Sequence, residues 1–184
     1  MAGRTTGETQ GGIKDMKRVL TALVALCALA VSSFAQTNWA DVPMQFALRG
    51  GIFLPVENAL QDLDNVWFAF GADAEFDRGF VADASTVLSL DWFSRNGGAN
   101  TNAFPLMVSQ RWYTGQWPKR TYLQVGVGPV FTDFNPADVV VGARVGVGVE
   151  FNERFFAEAN FYWSDDTTQN VGVIGAAGFF GVRF

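Results

Sequence analysis

No histidine occurs anywhere in the 184 residues. That absence removes Ser–His–Asp relays and imidazole metal ligation together. Cysteine is almost missing too: Cys27 is the only one, inside the apolar run 19–31. It makes a poor lipid-attachment site, because Leu26 stands where a small residue is needed and apolar residues continue past it. Beyond residue 35 there is no thiol, hence no disulfide framework. Long apolar runs are also absent there, so no segment reads as a membrane-spanning helix. Basic residues are few. Residues 36–184 hold nine Lys and Arg against sixteen Asp and Glu, a net charge of −7. Such a balance offers no basic patch, and nucleic acid is not an expected partner.

The front of the chain carries a processing pattern. Met16-Lys17-Arg18 is a positive opening, residues 19–31 are almost wholly apolar, and Ser33-Phe34-Ala35 supplies small residues three and one positions before a cut. This is a secretory signal peptide, with cleavage between Ala35 and Gln36. Residues 1–15 are polar, Gly-rich and contain Glu8 and Asp15, unlike a signal opening. They read as an upstream extension ahead of a start at Met16, the alternative being an extended signal peptide. Initiation profiling that found ribosomes starting at Met1 would discard the first reading. The expected organisation is therefore 1–15 extension, 16–35 signal peptide and 36–184 a single domain.

What is abundant is glycine, with 20 residues, and phenylalanine, with 18. Eight segments alternate in hydropathy: roughly 44–54, 66–76, 80–92, 103–113, 121–131, 139–151, 155–164 and 171–184. Most are longer than a usual soluble strand and suit a tilted membrane strand of roughly 9–11 residues. Tight separators (Asp77-Arg78-Gly79, Asn152-Glu153-Arg154 and the slightly longer 114–120) alternate with longer ones at 55–65, 94–102, 132–138 and 165–170. That rhythm is a hairpin meander with both ends of the domain on the short-turn side.

Alternation sorts the strands into two faces. One is apolar, for example Phe68, Phe70, Ala72, Ala74 and Phe76, or Val141, Ala143, Val145, Val147 and Val149. The other holds Arg49, Asp73, Glu75, Asp83, Asp91, Arg111, Gln124, Arg144, Glu150, Glu158, Asn160 and Arg183, with many glycines among them. A soluble periplasmic ligand-binding barrel would turn the apolar face inward; release by a plain salt wash would support it. Three features favour the inverse. Strand glycines on a wet face are only a cost, whereas in a narrow lumen they make room for long neighbours. Aromatics gather at strand ends: Phe76, Phe80, Trp112, Phe151, Phe155 and Phe184 for one belt, Phe53, Phe68, Trp92, Phe104, Phe131 and Trp163 for the other, as membrane interfaces favour. The export signal completes the case. The expected fold is an all-β, eight-stranded antiparallel up-and-down transmembrane β-barrel, closed because lipid tolerates no open sheet edge.

The last strand places Ile174, Ala176, Gly178, Phe180, Val182 and Phe184 on one face. A terminal Phe closing such a strand resembles the carboxy-terminal signal of bacterial outer-membrane barrels, with Phe180, Val182 and Phe184 as its core. The domain as a whole resembles the small eight-stranded outer-membrane families, the OmpA-type barrel domain and OmpX-like proteins, without a peptidoglycan-binding domain after the barrel. The resemblance implies an outer-membrane location in a Gram-negative-type envelope, with membrane lipid and the barrel-assembly machinery as partners. It also implies a non-enzyme: the outer-membrane barrel enzymes (palmitoyltransferases, lipid A deacylases, phospholipases, omptin proteases) all place a histidine in the catalytic set.

An eight-stranded lumen is just wide enough to be filled by side chains. Arg49, Arg111, Arg144 and Arg183 therefore face Asp73, Glu75, Asp83, Asp91, Glu150 and Glu158 in a space where isolated charge is costly, which predicts a ladder of ion pairs. That ladder reads either as a structural plug or as a narrow porin-like path; its surplus of acids makes any path cation-preferring. The pair Asp73 and Glu75 reads as ion-pair partners rather than as acid and base. No cofactor is expected. The acidic long loops (Glu57, Asp62, Asp64; Asp133, Asp138; Asp165, Asp166) are candidates for gathering divalent cations. Asp62-Leu63-Asp64-Asn65, however, lacks the Gly and closing Glu of a calcium loop.

Overall fold

A computed structural model describes residues 43–95, 101–116, 119–134 and 137–184. The signal segment, Cys27 and the cleavage pair Ala35 and Gln36 lie outside the described residues. Eight strands follow one another: β1 (Met44–Pro55), β2 (Trp67–Phe76), β3 (Ala84–Ser94), β4 (Asn102–Gln116), β5 (Lys119–Thr132), β6 (Asp138–Glu150), β7 (Phe155–Ser164) and β8 (Gly175–Arg183). One short helix, α1 (Asn58–Gln61), lies in the first connection. Each strand pairs antiparallel with the next, and β8 closes on β1.

The register fixes the shape. The pairing that leaves Met44 runs through Phe76, Thr86, Gln110, Val125, Val145, Phe161 and Ala176 and returns to β1 at Leu54, ten residues further along. With about 3.3 Å of rise per residue and about 4.8 Å between strands, that offset tilts the strands by roughly 40°. At this tilt ten residues climb about 25 Å, the height of an apolar membrane band.

The outer wall is apolar. Leu48, Ile52, Phe70, Leu90, Val125, Val147 and Phe161 are exposed along it. Among the belt aromatics, Phe68, Trp92, Phe131 and Trp163 are exposed near one end, and Phe80, Phe151, Phe155 and Phe184 near the other. Phe53 departs from the expected belt. It shares inward parity with Arg49 and is fully buried in the barrel, so strand-end position misassigned it where alternation would not have.

Three connections differ from their sequence reading. The 77–83 turn is longer than Asp77-Arg78-Gly79. It folds against the wall: Phe80 N and Val81 N donate to Gln110 Oε1 at 2.8 and 3.4 Å, and Gln110 Nε2 donates to Thr86 Oγ1 at 3.0 Å. Asp83 ends it at φ 58°, and β3 starts one residue later. The β4–β5 hairpin is tighter than expected: Gln116 pairs with Lys119, leaving only 117–118 between, and Gly115 at φ 90° allows the twist. At β8, residues 171–174 are loop. Thr167 Oγ1 donates to Val171 O at 3.0 Å, and Val173 N donates to Ser164 Oγ at 2.7 Å, so the chain turns before the sheet begins. The connections 56–66, 95–101, 133–137 and 165–174 thus share one end, the loop end. Those at 77–83, 117–118 and 151–154 share the other, the turn end.

The barrel lumen as candidate functional site

Inward alternation buries Arg49, Asp73, Glu75, Asp91, Arg111, Arg144, Glu150, Glu158 and Arg183 together. Arg49 is the hub. Its Nη2 lies 2.6 Å from Asp91 Oδ1 and 3.1 Å from Asp73 Oδ1, and its Nη1 donates to Glu158 Oε1. Arg111 Nη1 reaches Glu75 Oε2 at 2.8 Å, and its Nη2 approaches Asp73 Oδ2 at 3.5 Å. Arg144 Nη1 is 3.5 Å from Asp91 Oδ2, while its Nη2 donates to Ser89 Oγ and Ser109 Oγ at 2.8 and 2.6 Å. Arg183 Nη1 sits 2.7 Å from Glu150 Oε1. Asp73 differs from the other acids: both its oxygens have arginine within ion-pair reach, and neither is aligned for a hydrogen bond.

Glycines make this density fit. Arg49 is flanked across the sheet by Gly71 on β2 and Gly181 on β8. Arg144 faces Gly126 on β5, and Tyr122 faces Gly148 on β6. A Cβ at Gly71 would run into Arg49 and one at Gly148 into the Tyr122 ring, whereas one at Gly181 would meet Phe156 and one at Gly126 would meet Ser109.

Four lumen residues escaped the sequence reading. Arg120 lies on β5 rather than in a turn, because the hairpin is tight; its Nε donates to Glu150 Oε2 at 2.7 Å. Counting back by twos from Gln124 through Tyr122 would have placed it inward. The others are the tyrosines. All three in the chain donate to a buried carboxylate: Tyr113 to Glu75 at 2.6 Å, Tyr122 to Glu158 at 2.7 Å and Tyr162 to Asp91 at 2.8 Å. In a chain with eighteen phenylalanines, the rare hydroxyl was the available signal. Each of the five arginines also lies over a ring: Arg49 on Phe179, Arg111 on Tyr122, Arg120 on Tyr113, Arg144 on Tyr162 and Arg183 on Phe156, with Cζ 4.1–6.0 Å from the centroid. Such stacking offsets part of the desolvation of the guanidinium.

Asp83 must be removed from the lumen set. It is exposed in the turn before β3, because the strand begins later than the hydropathy pattern suggested. With Asp83 out and Arg120 in, five arginines meet five carboxylates. The acid surplus that argued for cation preference is gone.

The charges fill only the turn-end half. There a cavity of about 240 Å³, lined by Gln45, Glu75, Asp77, Tyr113 and Arg120, reaches the network. The loop-end half is apolar. Phe53 stacks on Phe93 with centroids 4.4 Å apart, and Trp67 and Tyr162 meet Phe53 edge-on. Over them lie Leu60 from α1, Phe134 from the 133–137 connection and Val173 from the 165–174 connection, all buried. The lumen is therefore two stacked layers of opposite character, rather than one ladder of charges.

The fold has solved counterparts. The chain is similar to Neisserial surface protein A (NspA), at 12% identity and a TM-score of 0.49 over 76% of this chain and 94% of that one. It is also similar to the N-terminal β-barrel domain of OprF from Pseudomonas aeruginosa, at 13% identity and a TM-score of 0.46 over 77% and 96%. No family model and no curated protein sequence matches it. The class itself, a closed eight-stranded antiparallel up-and-down barrel, rests on the strand pairing.

The loop acids have local roles. Asp133 accepts from Asn102 N and Nδ2, tying its connection to the start of β4, and Asp138 Oδ2 at the start of β6 accepts from Thr168 N of the 165–174 connection at 2.8 Å. Among the described residues no group of three acidic, Cys or His side chains is arranged to hold a metal. Phe180 and Phe184 are exposed on the outer wall beside Val182, which is half-buried.

Proposed function

We propose that this chain is a small outer-membrane β-barrel protein with a structural or surface-interaction role and a closed lumen. One observation carries the reading: the barrel is inverted, with a charged, hydrogen-bonded interior inside an apolar wall. In water such a wall would be an aggregation surface; in lipid it is the favourable face. The signal-like front and the outward Phe180, Val182 and Phe184 support delivery by the barrel-assembly machinery. The paired charges and the apolar layer support closure.

The test is conductance of the refolded chain in a planar bilayer, with Arg144→Ala beside it. A barrel that inserts and stays silent is the expected result. Discrete steps that Arg144→Ala alters would make the lumen a gated path and overturn closure. Extraction offers a second check: the protein should resist a salt wash and yield to detergent.

A further inference from the structure

We propose that the loop-end layer is a lid: Leu60, Phe134 and Val173 seat together on the aromatic floor, and like-charge repulsion among the connections that carry them sets how firmly they sit. The inference rests on the closed-lumen reading. Each lid residue is buried, yet none belongs to a strand. Each comes from a different connection: the side chains seat by apolar packing with Phe53, Trp67 and Phe93, while each connection is also tethered to a strand end, Gln61 Nε2 on Pro55 O, Asp133 N on Asn102 O and Val173 N on Ser164 Oγ. The layer beneath is anchored differently: every arginine and carboxylate of the network projects from a strand. Lifting the lid leaves that network intact.

The opposing force is also visible. At the loop end Glu57, Asp62, Asp64, Asp133, Asp138, Asp165 and Asp166 face only Arg95 as a counter-charge. Asp133 and Asp138 clamp neighbouring segments by hydrogen bonds, but Glu57, Asp62, Asp165 and Asp166 have no cation paired with them among the described residues. Exposed like charges interact across roughly 8 Å at physiological ionic strength. Screening cations therefore seat the lid, and low salt loosens it.

Lid opening is read by thiol access to the floor. Ala69 is fully buried beneath the lid, and with Cys27→Ser in the background Ala69→Cys supplies the only thiol. Labelling by a bulky charged maleimide is followed on the refolded chain in micelles. Parent labelling should be slow and should slow further when magnesium chloride is added. Leu60→Ser with Phe134→Ser should raise the rate at least tenfold. Asp62→Asn with Asp165→Asn and Asp166→Asn, all at exposed positions, should lower it severalfold and flatten the salt dependence. Rates indifferent to salt and to loop charge overturn the proposal, even where the lid variant fails to fold; so does a lid variant that folds and labels like the parent. Flotation with phosphatidylcholine vesicles reads the membrane assignment separately. A chain that labels as expected but does not float overturns that assignment and leaves the lid standing.

Discussion

Arg49→Leu is expected to lower the unfolding free energy of the barrel by about 3–5 kcal/mol, the usual cost of removing one partner from a buried ion pair. The change deprives Asp73, Asp91 and Glu158 of a shared cation, and these three project from β2, β3 and β7. The three carboxylates then keep only longer ion-pair contacts, Asp73 with Arg111 at 3.5 Å, Asp91 with Arg144 at 3.5 Å and Glu158 with Arg111 at 3.8 Å, in a space with little water, where poorly compensated charge is costly. Arg49→Lys should fall between, because an ammonium keeps the charge but cannot fork toward three acceptors at once. Adding Asp91→Asn and Glu158→Gln to Arg49→Leu should recover part of the loss, since the penalty comes from stranded charge more than from a missing contact. Denaturant midpoints in detergent measure all four chains. An Arg49→Leu midpoint equal to the parent's would show that the network does not hold the barrel together.

Gly148→Leu should be as damaging for the opposite reason, overfilling. Gly148 lies directly across β5–β6 from Tyr122, and a Cβ placed there meets the tyrosine ring with no space between them. The ring cannot swing away without giving up its hydrogen bond to Glu158. A loss of at least about 3 kcal/mol is expected, at the upper end of what overpacking costs. Gly178→Leu is the matched control. That glycine faces outward, and nothing lies within 4 Å of where its Cβ would be, so the change should alter the unfolding free energy by less than about 1 kcal/mol. Tyr122→Ala in the Gly148→Leu background should restore stability relative to Gly148→Leu alone. If both glycine variants behave alike, the inward glycines are not making room for their neighbours.

These cases mark what could be read from the residues. Alternation was enough to turn Arg49, Asp73, Asp91, Arg144 and Glu158 inward and Phe70, Val125 and Phe161 outward, because a period of two is a local property of any strand. It failed at strand ends. Asp83 took a left-handed turn that hydropathy does not encode, and Arg120 looked like a turn residue because hairpin length is set by cross-strand pairing. Phe53 lies near a rim, as a belt residue would, but its parity with Arg49 turns it inside. The tyrosines carry no such local signal, because a ring reads as apolar and its hydroxyl matters only where a carboxylate stands opposite.

The sequence alone determined that this chain forms strands of membrane-spanning length, how many there are and which face of each is charged. All of that follows from spacing within single segments. Only the tertiary structure decided who meets whom. The ten-residue offset around the barrel brings Arg49 of β1 level with Asp91 of β3 and Glu158 of β7, and it gathers Phe53, Trp67, Phe93 and Tyr162 into a separate apolar layer. Levels inside a tilted barrel depend on the register summed over all eight strands. That sum includes connections far apart in the chain, so no single segment carries it.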